Sequence, residues 1–149
     1  MIQKHGEMQH SEQLMLAVRT QQLVDQHQRR VHSQTDRLFL LLMAMQWVGG
    51  IIIALVVSPR TWIGATPYLH VHVWAAVLLG GTISLAPVLM AWRFPGSTAT
   101  RHVIAVSQAM WTCLFIHLTG GRIETHFHAF GSLAFLAFYR DWKVLITAS

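Results

Sequence analysis

No charged side chain occurs between Leu38 and Val57. A run of about 20 uncharged, mainly apolar residues matches the hydrocarbon thickness of a bilayer. Inside lipid every backbone N–H and C=O has to be paired within its own segment, so a single run of this kind is a helix. Three further runs follow, Leu69–Trp92, Val103–Leu118 and Ile123 to about Tyr139. Turn formers separate them. Ser58-Pro59-Arg60 closes the first, with Gly64 and Pro67 in the loop to Tyr68; Arg93-Phe94-Pro95-Gly96-Ser97 closes the second; Gly120-Gly121-Arg122 closes the third. Connections this short make neighbours antiparallel. The expected fold is therefore all-α: an integral-membrane, antiparallel four-helix transmembrane bundle. Charged residues are 11% of the chain, against roughly 25% in soluble domains.

Residues 1–36 are polar and rich in Gln and His, without the apolar stretch of a signal peptide. Leu14, Met15, Val18, Leu23, Val24 and Val31 recur at loose helical intervals, and no Gly or Pro intervenes after Gly6. A helix is expected from about Ser11 into the first span. Its heptads are too irregular for a coiled coil. The chain thus divides into a cytoplasmic juxtamembrane helix, 1–36, and a membrane domain, 37–149. Val144 to Ile146 are expected to carry the fourth helix past the membrane edge.

The net charge of +5 does not indicate nucleic acid, because the basic residues flank apolar runs and form no groove or stripe. They do set an orientation. With the N-terminus in the cytoplasm, Lys4, Arg19, Arg29, Arg30, Arg37, Arg93, Arg101, Arg140 and Lys143 lie inside, and only Arg60 and Arg122 lie outside. Trp62 and Tyr68 on the outer side, and Trp92, Tyr139 and Trp142 on the inner side, fit interfacial belts. The single cysteine, Cys113, excludes an internal disulfide and a thiolate zinc motif, and reads as a small buried apolar residue.

Of the ten histidines, His70, His72, His117, His126 and His128 all map to the outer ends of the second, third and fourth helices. Glu124 joins them as the one acidic residue on that half. Ionisable groups at membrane depth usually face a bundle interior or a cavity. Glu124 and His128, four apart, share a helix face, whereas His126 and His128, like His70 and His72, are two apart and diverge around a regular helix. Three or four ligands are therefore expected among the six, led by His117, Glu124 and His128 with one of His70 and His72. Imidazoles with a carboxylate suit Zn, Cu or Fe; a haem held by two facing histidines is the other form of the same site. A proton-responsive His cluster and interfacial histidines that snorkel or cap helix ends are the alternatives. Gln46 and Gln108, in mid-span, are expected to hydrogen-bond between helices.

The run GGRIETHFHAFGSLAFLAFYRDWKVL, with Glu124-Thr125-His126-Phe127-His128 and Tyr139-Arg140-Asp141-Trp142, resembles the last span of an N-terminal membrane sensor module of bacterial sensor histidine kinases. Related runs occur in membrane diguanylate cyclases and chemoreceptors. The resemblance is sharpest over residues 117–146. It implies a signal-input domain in the bacterial inner membrane, feeding a cytoplasmic output domain in cis. The chain is then expected to be a fragment of a longer protein that forms a homodimer, with any kinase activity outside these residues. The Tyr139–Trp142 segment would be the joint through which the fourth helix acts. A membrane metal-dependent oxidoreductase and a ligand-free oligomerisation or anchor module are the rival readings.

Overall fold

The structure is a computed structural model that describes the backbone of residues 2–57, 60–63 and 66–149 and the side chains of residues 12–57 and 70–149. Helix α1, Ile2–Val57, is a single 56-residue helix, about 84 Å long at 1.5 Å per residue. It begins upstream of Ser11, since Gly6 is the only weak helix former near its start and one glycine costs only about 1 kcal/mol. The division at residues 36 and 37 falls inside this continuous helix. A short hairpin follows, β1 (Arg60–Ile63) and β2 (Thr66–Leu69), pairing Arg60 with Leu69 and Ile63 with Thr66. The sequence reading has only a loop there. In a two-stranded ribbon each strand is an edge, which accommodates the missing N–H of Pro67. The side chains of Trp62 and Tyr68 lie outside the described residues.

Helix α2 runs Val71–Arg93. Its Ala75–Leu79 segment is π-helical, and Pro87 sits buried within the following α-helical stretch. A π segment widens the backbone ladder locally, and here the carbonyl of Val77 accepts a hydrogen bond from Trp47 Nε1 at 3.2 Å. Helix α3, Thr98–Leu118, is capped by Ser97, whose side chain accepts from Thr100 N. Helix α4, Ile123–Leu136, ends in a 3-10 turn at Ala137–Tyr139, and α5 is Trp142–Ala148.

Helix α3 is the centre of the molecule and touches α1, α2, α4 and α5. The core gathers Phe39, Met43, Ile104, Trp111, Leu118 and Leu136. Trp111 lies against backbone: a Cβ added to Gly80 would fall 2.9 Å from its ring and 3.2 Å from Trp47. Its Nε1 donates to Ser84 Oγ at 3.1 Å.

The end of the chain departs from expectation. Instead of passing beyond the membrane edge as a continuation of α4, the backbone reverses at Arg140, the one non-glycine residue of positive φ (53°) among the described residues. Asp141 then caps α5, its Oδ1 accepting from Lys143 N at 3.1 Å. Helix α5 packs back against α3 and α4, with Val144 buried and Thr147 Oγ1 2.8 Å from His102 Nδ1. Tyr139, expected at the interface, is fully buried.

Two helices, α1 and α2, contain stretches long and apolar enough to cross a membrane. Large apolar side chains stay uncovered along the helices, Trp92 at 79% exposure and Val56 and Ile123 at 76% among them. Cys113 is also exposed, contrary to the sequence reading. Its neighbours Trp111, Thr112, Leu114 and Phe115 take the inward faces of α3, which turns position 113 outward.

Candidate functional site

The six candidate side chains separate into three groups. His70, His72 and His117 come together. The His70 and His72 ring centroids are 4.2 Å apart, and those of His72 and His117 4.8 Å apart, both edge to face. The trio joins the start of α2 to the end of α3. His70 caps α2: its Nδ1 accepts from His72 N at 3.1 Å. In a neutral imidazole that bond places the proton on Nε2, so His70 has no free lone pair while it caps the helix. His72 Nδ1 is buried and lacks a partner among the described residues. His72 and His117 are thus the two rings with nitrogens available to a ligand. Rings this close and edge to face leave no room for a macrocycle between them.

His128 takes part in a different arrangement. Gln46 Nε2 is 2.9 Å from Gln108 Oε1 and 3.0 Å from His128 Nε2. Gln108 Nε2 returns a bond to Gln46 Oε1 at 3.1 Å. Thr112 Oγ1 donates to the carbonyl of Gln108 at 3.0 Å and lies 2.8 Å from His128 Nδ1. Ser132 Oγ donates to Gln108 Oε1 at 3.1 Å. One assignment satisfies every partner: His128 neutral, donating from Nδ1 to Thr112 and accepting from Gln46 at Nε2. Both ring nitrogens are then engaged. The network ties α1, α3 and α4 together at mid-length, as the two glutamines led one to expect.

Glu124 and His126 join neither group. Both are exposed in the first turns of α4. His126 Nδ1 lies 3.1 Å from the Arg122 carbonyl and so donates to it, and no hydrogen bond or ion pair engages Glu124 among the described residues. Among the described residues no three His, Cys, Asp or Glu side chains are arranged to hold a metal ion.

A second polar cluster lies at the opposite end of the helices; the sequence reading singled out its Tyr139–Trp142 segment but not the partners Asp36, Arg101 and His32. Asp36, 1% exposed, accepts from Gly96 N at 2.6 Å and from Tyr139 Oη at 2.7 Å. Tyr139 stacks on Phe39 at 5.6 Å. Beside it Arg101 donates to Asp141 at 2.9 Å and to Thr98 Oγ1 at 2.9 Å, and lies 3.3 Å from His32 Nε2. Burial, reinforced by the Arg101 guanidinium, holds the His32 imidazole below its ordinary pKa, partly opposed by a hydrogen bond to the Tyr139 backbone and by Asp36 and Asp141. The sequence reading missed the Asp141 helix cap, whose signal is an acidic residue just ahead of an apolar run. No family model matches the chain, and no curated protein or solved structure is significantly similar to it.

Proposed function

We propose that this chain is a membrane-embedded signal-input module of a bacterial signalling protein, in which His70, His72 and His117 take up a transition-metal ion at one end of the helices. The reading places a four-helix transmembrane bundle in the inner membrane, N-terminus in the cytoplasm. It is supported by two helices of spanning length and by large apolar side chains left uncovered where lipid would cover them. The single observation that carries the ligand proposal is the meeting of imidazoles from two helices, with a buried, unpartnered nitrogen on His72. A neutral imidazole set of this kind suits Zn, Cu or Fe. The spacing of the rings favours a bare ion over haem.

His72 and His117 supply the first two lone pairs. His70 becomes a third ligand only by giving up its cap on α2, so metal uptake is coupled to the start of that helix. This coupling is a physical route from ligand to conformation, and the bias it exerts equals its preference for the uncapped state. The output domain in cis and the homodimer belong to the same proposal. Elemental analysis and an absorption spectrum of the detergent-purified chain test it. Stoichiometric metal without a Soret band, lost on replacing His72 and His117 by Ala, is the expected result. A chain without affinity for added Zn, Cu or Fe would overturn it.

A second reading, a ligand-free packing and anchor module, is favoured by the mid-length network, in which His128 already has both nitrogens engaged. It predicts that the outer histidines can be replaced together without effect on folding or signalling.

A further inference from the structure

At the end opposite the imidazole trio a cleft of about 670 Å³ opens between one face of α1 and the turn after α4. Leu23, Val24 and Val31 form its apolar wall; Arg101, Arg140 and His27 are among its polar residues. We propose that this cleft binds a phosphate ester. The argument does not depend on the metal proposal.

Arg101 carries it. The residue is only 8% exposed. Two of its three nitrogens are engaged, Nη1 by Asp141 and Nη2 by Thr98, while Nε is buried without a partner among the described residues. A planar guanidinium with a donor unmet at the edge of a cleft is a ready partner for an oxyanion. The carboxylates nearby do not compete. Asp141 already accepts from the Arg101 guanidinium and from the Lys143 backbone amide. Asp36 does not line the cleft and accepts from Gly96 and Tyr139. Arg140, in the opposite wall, is exposed, and no ion pair engages it among the described residues. The cleft therefore offers a buried donor, a second guanidinium that no ion pair engages among the described residues, and an apolar wall for the organic part of an ester. Its volume suits a small ligand or a headgroup.

The ester has two sources, an acidic phospholipid of the adjoining leaflet or a soluble phosphorylated molecule. Native mass spectrometry of the full chain in detergent, offered phosphatidic acid against phosphatidylcholine and, separately, glycerol phosphate, separates them. Retention of phosphatidic acid over phosphatidylcholine by about tenfold, a difference of about 1.4 kcal/mol, supports the site with lipid as source. Retention of glycerol phosphate without a lipid preference supports it with a soluble source. Either retention is expected to fall in Arg101→Lys. Because that substitution disturbs the pair with Asp141, Arg140→Gln is the second variant; it leaves the pair intact and is expected to weaken retention. Retention of neither probe, or retention unchanged in both variants, overturns the proposal.

Discussion

Asp36 is a buried carboxylate held by neutral donors, the Gly96 amide and the Tyr139 hydroxyl. Tyr139→Phe keeps the stack on Phe39 and removes one donor. Hydrogen bonds to charged groups are worth about 1.5–3 kcal/mol, so a loss of that size is expected in equilibrium unfolding in detergent. His32 gives a pH signature. Its folded pKa lies below the ordinary 6.5, because burial and then Arg101 disfavour the cation. The unfolded chain then binds more protons, and the stability His32 contributes is present above about pH 6.5 and lost as pH falls through its folded value. Thermal unfolding followed from pH 7.5 downward is expected to show that decline, reduced in His32→Gln. These contacts were not legible in sequence. Asp36 and Tyr139 are 103 positions apart, and nothing in either neighbourhood distinguishes a buried pair from a surface aspartate and an interfacial tyrosine.

The helices themselves were largely legible. Apolar runs and the turns between them located α2, α4 and the C-terminal ends of α1 and α3 to within about three residues, because apolar length and Gly or Pro punctuation are local properties; α1 and α3 begin earlier than expected, at Ile2 and Thr98, since their first turns are polar. Three features were not. The hairpin of β1 and β2 depends on pairing across a loop. The reversal at Arg140 depends on a cap at Asp141 and on α3 offering a surface for Val144. The split of the histidines depends on where α4 is rotated, which sets His128 against Gln46 and leaves His126 outside. Glycines of the spanning-length helices are also unequal. A Cβ at Gly80 would strike Trp111, whereas one at Gly49 meets nothing within 4 Å. Gly80→Ala is expected to destabilise by about 1–3 kcal/mol through overpacking, and Gly49→Ala to be neutral or stabilising by up to about 1 kcal/mol. Gln108→Leu leaves Gln46 and Ser132 short of partners, and a loss of about 0.6–2 kcal/mol is expected, in line with interhelical polar pairs elsewhere. Chemical unfolding in one detergent compares the three.

Across the molecule, polar groups collect at three levels: the imidazole trio at one end, the His128 network at mid-length, and the Asp36–Arg101 cluster at the other. Helix α3 contributes to all three through His117, Gln108 with Thr112, and Arg101. A displacement of α3 would therefore be felt at every level, which suits a module that relays an event at one end to the other. The trio is the level on which the functional proposal depends, and Co2+ binding reports on it most directly. Titrated into the detergent-purified chain, Co2+ is expected to give visible d–d bands that saturate at one ion per chain and vanish when His72 and His117 are both replaced by Ala. Bands that persist unchanged in that double variant, or no bands in the intact chain, would contradict the account.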